Sequence, residues 1–298
     1  MASNKWMDID YNRVASKCMQ KNKSVFIKHD KQRFEEFLAS KTTISGAVLK
    51  PVEMVERGKK LMHSEADKLE IEVLEKQWLS LCEDIKKKGG GLLDNAIAVC
   101  DVSGSMDGTP MNAAIGLTIL TMYLSQEPWN SMCITFSATP QIHIVDPNLT
   151  FIEKLGAMQG MDAGYNTALN LVFDLILHKS VEQRLRNDQL PKVLIVFTDM
   201  EFDEAFPDED NLTNFEAAQQ DFEAKGYKLP PIVFWNLRTS ASTPVQTNEV
   251  GAALLSGYSG QQMSLILKTK DFEKMTPYSM MRSAIDNKFL LSMAISDV

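Results

Sequence analysis

An α/β fold with a mostly parallel sheet, preceded by an all-helical segment, is what this sequence predicts. Three observations carry the prediction. Beyond residue 92, short apolar runs alternate with helical stretches. Before it, helical periodicity dominates. The charge also changes sign at Gly89-Gly90-Gly91, with 18 basic against 14 acidic residues over 1–91 and 13 against 25 over 92–298. The expected division is therefore a helical segment over 1–91 and an α/β domain over 92–298, the latter carrying a C-terminal helical extension. The chain has 298 residues, 44% of them apolar. That apolar share suffices for a packed core and excludes long-range disorder, collagen and a disulfide scaffold.

The first 30 residues contain no apolar core of the roughly 7–15 residues that a secretory signal needs. The longest apolar stretch, 113–124, is interrupted by Thr118 and Thr121 and falls short of the about 20 residues that span a bilayer. A soluble, intracellular and cytoplasmic protein without membrane contact is expected. Cys18, Cys82, Cys100 and Cys133 are widely spaced with no CxxC, so buried reduced thiols are expected rather than a zinc site.

Helices are expected over 24–39, 51–63 and 64–88. In the last, Ile71, Leu74, Trp78, Leu81 and Ile85 recur at spacings of 3, 4, 3 and 4, which places one stripe on one face. Ser64 with Asp67 resembles a capping box at its start. Lys86, Lys87 and Lys88 suit the negative end of the helix dipole, and Gly89 is expected to supply the left-handed cap. Buried strands are expected over 95–100, 132–136, 193–197 and 232–235, with an alternating edge strand over 141–145. Helices over 110–125, 150–158, 167–178 and 212–224 separate them.

In such folds ligands collect at the carboxyl ends of the strands. The first strand runs into Cys100-Asp101-Val102-Ser103-Gly104-Ser105, and Thr109-Pro110 then reads as a helix N-cap and first turn. The 193–197 strand ends in Phe197-Thr198-Asp199, and Gly164-Tyr165-Asn166-Thr167 opens another helix. Asp101, Ser103, Ser105, Thr167 and Asp199 thus form a candidate metal site with two carboxylates and three hydroxyls. Without His or Cys the set is hard and all-oxygen, suited to Mg²⁺, or to Mn²⁺ or Ca²⁺, at about 2.0–2.6 Å.

Asp101-x-Ser103-x-Ser105, followed by Thr167 and Asp199, resembles the metal-ion-dependent adhesion site (MIDAS) of von Willebrand factor A domains. A wider resemblance rests on 14–37, 78–106, 127–129, 197–203, 233–238 and 242–244. These are similar to the domain of unknown function 2828 family, which pairs a helical region with a C-terminal A-like domain. More distantly, that arrangement resembles the Ro ribonucleoprotein (TROVE-type) architecture. The resemblance implies a Rossmann-like A domain that grips a protein partner through a bound cation, the partner's Asp or Glu carboxylate completing the shell. In that picture Ser103, Ser105 and Thr167 bind the metal directly, and Asp101 and Asp199 act directly or through waters. The second reading is a ribonucleoprotein component whose RNA contacts the 1–91 segment, since the acidic remainder repels a phosphate backbone.

Asp203, Glu204, Asp208, Glu209 and Asp210 are expected to form a solvated acidic loop, with Asp107 in an Asp-Gly turn. The four histidines, His29, His63, His143 and His178, lack metal spacing. No GxSxG, GxxxxGK[ST] or GxGxxG motif is present, and Ser103 stands where an aspartyl phosphotransferase carries its second carboxylate. A non-enzymatic role is expected.

Overall fold

A computed structural model describes residues 5–63, 68–93, 95–127, 129–136, 139–160, 169–200, 214–238, 250–269 and 271–286. Three helices, α1 (Ser16–Ala39), α2 (Pro51–Met62) and α3 (Lys68–Gly89), precede the sheet. The order then runs β1 (Ala96–Asp101), α4 (Thr109–Leu124), β2 (Met132–Phe136), β3 (Ile142–Ile144), α5 (Phe151–Gln159), α6 (Leu169–Glu182), β4 (Val193–Thr198), α7 (Asn214–Ala224), β5 (Ile232–Asn236), β6 (Ala252–Ser256), α8 (Met263–Lys268) and α9 (Pro277–Ile285). The strands form one sheet in the order β3-β2-β1-β4-β5-β6, parallel throughout except for antiparallel β3 at the edge. This is the α/β architecture expected from the sequence, helical segment included.

Strand alternation divides the interior into two cores. Ala98 and Cys100 of β1, Ile195 and Phe197 of β4, and Val233 and Trp235 of β5 face α4. Ile97, Val99, Leu194, Val196, Ile232 and Phe234 face α6 and α7. Burial on both faces explains why these strands read as continuous apolar runs.

Helix α4 is buried on nearly all sides, because α2 and α3 cover the face it turns away from the sheet. This accounts for its long apolar stretch. Among the described residues no helix is long and apolar enough to cross a membrane. The approach of α2 to α4 depends on Gly116, where a Cβ would lie 2.9 Å from Pro51 Cβ and 3.0 Å from Val55 Cγ2. Trp78 of α3 stacks on Phe151 of α5 with ring centroids 4.0 Å apart. Glu75 of α3 accepts hydrogen bonds from the Phe151 and Ile152 N–H groups at 2.8 and 2.9 Å, satisfying the exposed donors of the α5 N-terminus.

A satellite core of Tyr11, Met19, Phe26, Phe34, Leu38, Ile44 and Val73 joins α1 to α3. Fully buried Gln77 ties the helices together: its amide donates to the Ser16 and Ser45 carbonyls, both at 3.1 Å, and its Oε1 accepts from Arg57 at 3.2 Å.

Three local expectations are corrected. The left-handed cap of α3 is Gly90, with φ +88°, rather than Gly89. Gly89 stays in the last helical turn, where a Cβ would collide with Leu267. The N-cap of α4 is Gly108, with φ +85°, so Thr109 is already helical and Pro110 lies in the first turn. All four cysteines are free, but Cys18 is exposed while Cys82, Cys100 and Cys133 are buried. Ser64 and Asp67 lie outside the described residues.

Candidate functional site

Strands β1 and β4 are parallel neighbours, with Cys100 opposite Phe197, so Asp101 and Thr198 end the two strands at one level. The Thr198 hydroxyl donates to Asp101 Oδ2 at 2.7 Å, and the Ser103 N–H donates to Asp101 Oδ1 at 2.9 Å. The second bond closes an Asx-type turn that folds the loop back over the strand end. It brings Ser103 Oγ within 3.0 Å of Ser105 Oγ. Met106, fully buried, anchors the loop from below.

Asp199 follows Thr198 and is also fully buried. The next residue, Met200, has φ +65°, a left-handed conformation that costs a methionine about 1–3 kcal/mol. Its N–H donates to the Thr198 hydroxyl at 3.1 Å. The single Thr198 hydroxyl therefore holds both the Asp101 carboxylate and the strained turn that positions Asp199.

Burial pushes the Asp101 carboxyl up to about 6. Hydrogen bonds from Ser103 and Thr198 oppose the rise, and the neighbouring Asp199 charge adds to it. Two carboxylates are thus withdrawn from water side by side, an arrangement that costs free energy unless a positive charge accompanies them.

Four of the five sequence-predicted residues, Asp101, Ser103, Ser105 and Asp199, stand at these two adjacent strand ends. Thr167 lies outside the described residues, as do the acidic residues from Asp203 to Asp210. Among the described residues no group of three or more His, Cys, Asp or Glu side chains is arranged to hold a metal. The strand-end cluster offers two carboxylates with hydroxyls. Its donors fit a small hard cation and exclude a soft one, because the nearest thiol, Cys100, faces α4 with its acidity suppressed by burial, its pKa pushed up to about 12.

Two residues went unassigned in the sequence. Thr198 was visible only as the residue before Asp199, and its role needs the β1–β4 register. Lys59 of α2 reaches across to donate to Asn112 Oδ1 in the first turn of α4, at 2.7 Å, and no local pattern announces that contact. Burial holds the Lys59 ammonium below the usual lysine range, against the pull of Asp107. The helical segment thereby places a cation beside the loop that follows β1. The histidines stay apart: His29 stacks on Trp6 at 4.6 Å, and His143 meets Thr135 Oγ1 at 3.1 Å.

In comparisons with known proteins, residues 95–290 match the family described as "Domain of unknown function (DUF7788)". Residues 1–90 match "Domain of unknown function (DUF2828)". The resemblance read along most of the chain is thus divided between two families, the second confined to the helical segment. "Uncharacterized protein L728" of Acanthamoeba polyphaga mimivirus is 32% identical over 300 residues, covering 93% of this chain and 50% of that protein. The chain spans about half the length of this curated relative. Among solved structures, the Deinococcus radiodurans RO (RSR) protein aligns with 14% identity and a TM-score of 0.49 over 87% of this chain and 49% of that one. The manganese-loaded Plasmodium vivax TRAP protein aligns with 12% identity and a TM-score of 0.37 over 62% and 74%.

Proposed function

The chain belongs to the Domain of unknown function (DUF7788) family, and we propose that it works as a non-enzymatic, divalent-metal-dependent protein-interaction module. Asp101, Ser103, Ser105 and Asp199 would hold the cation, with Thr167 as the fifth residue. Mg²⁺ is the proposed ion, and Mn²⁺ or Ca²⁺ suits the same donors. The observation that carries the reading is the pair of fully buried carboxylates at the ends of adjacent parallel strands, beside two hydroxyls 3.0 Å apart.

A bound divalent ion supplies an electrophilic centre for one further oxygen ligand. Two protein carboxylates leave the ion roughly neutralised, so an Asp or Glu side chain of a protein partner is the proposed ligand. The chain's own part is positional. Thr198 and the Ser103 N–H orient Asp101, and the Met200 turn fixes Asp199. Residues 1–91 and 92–298 are proposed as two functional segments, the first a fixed cover for the second, with α2 setting Lys59 next to the site.

Calorimetric titration with Mg²⁺ tests the reading. Wild type should bind saturably, while Asp101→Ala, retaining cooperative unfolding, should lose detectable binding. Partner capture from extract should require Mg²⁺ and disappear with EDTA. Undiminished Mg²⁺ affinity in Asp101→Ala would sink the assignment. RNA binding that is steeply salt-dependent and survives EDTA would replace the reading with the ribonucleoprotein one.

A further inference from the structure

The helical segment places one charge where the fold disfavours it. Lys59 of α2 ends at the first turn of α4, its ammonium donating to Asn112 Oδ1 at 2.7 Å. That is the positive end of the α4 dipole, which repels a cation. The ammonium is also partly buried, and its hydrogen-bond partner is a neutral amide. Among the described residues no carboxylate lies within ion-pair distance of it.

The groups within electrostatic reach of Lys59 bracket the candidate site. Cys100 precedes Asp101, Asp107 follows Ser105 after one intervening residue, and Glu56 lies one turn back on α2. Asp107 is exposed to water and therefore offsets little of the charge. The close approach of α2 to α4 at Gly116 holds the helix that carries Lys59 in place. A fixed cation from one segment of the chain thus stands against the 101–105 loop of the other.

We infer that Lys59 is a specificity-determining residue, which makes the cation-loaded site select a carboxylate of the partner over a neutral amide or carbonyl oxygen. The inference rests on the cation reading above and deepens it. Asp101 and Asp199 roughly neutralise a bound dication, and Lys59 adds a further positive charge that only an anionic ligand offsets. The charge acts in opposite directions on the two ligands, repelling the dication and attracting the carboxylate. A residue that merely held the loop in shape would support both.

The test titrates the full chain, ¹⁵N-labelled, first with Mg²⁺ alone. At saturating Mg²⁺ it then adds an acetylated, amidated Gly-Asp-Gly tripeptide or its asparagine counterpart. Wild type should bind the aspartate peptide saturably and the asparagine peptide about tenfold more weakly or less. Lys59→Met and Lys59→Gln both remove the charge. In each, affinity for the aspartate peptide should fall about fivefold while affinity for Mg²⁺ rises about fivefold, and both changes should shrink at high salt. Lys59→Arg should behave as wild type. Mg²⁺ and peptide affinities that fall together would reduce Lys59 to a structural contact and overturn the proposal. Unchanged affinities in Lys59→Met and Lys59→Gln would overturn it too, as would a loaded wild type that binds neither peptide or both equally. Failure of the cation reading is separately visible, as a wild type that takes up no Mg²⁺ in the first titration, and it takes this proposal with it.

Discussion

The two faces of the sheet are covered in different ways. On one, α4 lies against the strands and is itself buried beneath α2 and α3, so the core continues through a further layer. On the other, the described residues place α6 and α7 as a single layer, with an apolar cavity beside β3. The difference shows that a change in charge does not mark a change in packing unit. The chain turns from basic to acidic at the glycines, yet the residues on either side share one core.

The comparison breaks outright if the deep face does not need its outer layer. Deleting residues 1–91 should expose α4 along its whole outer side. Each aliphatic or aromatic side chain that α2 and α3 bury in this core is worth about 1.5–3 kcal/mol, and together they exceed the typical stability of a domain, about 5–15 kcal/mol. The fragment should show no cooperative unfolding by circular dichroism. A fragment that melts like the full chain would show that the outer layer is dispensable.

Trp78→Ala comes next. It removes a side chain 5% exposed that stacks on Phe151, and should cost about 3–5 kcal/mol in urea denaturation. Gly116→Val acts on the same interface by overpacking, forcing Pro51 and Val55 away from α4, and should cost about 1–3 kcal/mol. Leu185→Ala, at the half-buried margin of the single-layered face, should lower stability in the same urea titration by less than about 1 kcal/mol. If Leu185→Ala were to cost as much as Trp78→Ala, the contrast between the faces would fail.

The same contrast governs how much was legible in the sequence. Strands buried on both faces announced themselves as apolar runs, and the stripe from Ile71 to Ile85 gave α3. Strand β6 went unread because Ala252–Ser256 is a short, alanine-rich sequence at the second sheet edge, paired only with β5. The start of α1 at Ser16 was also unread, since its first turns are held by Gln77 and Ser45, contacts far away in sequence. Asp101, Ser103, Ser105 and Asp199 were legible because each stands at a strand end or a short, fixed offset past it. Thr198, Met200 and Lys59 were not, because register, backbone strain and the reach of α2 exist only once the chain has folded.

The hydrogen bonds from the α5 N-terminus to Glu75 span 76 and 77 residues of sequence. They bear on the order of events during synthesis. The first three helices leave the ribosome before α4, and the faces of α2 and α3 that pack on α4 have no cover until residue 124 has followed. At about 5–20 residues per second, the stretch from α3 to the end of α4 takes about 2–7 seconds. For that interval the amino-terminal helices are a nascent substrate for chaperones, and folding of this protein waits on its middle.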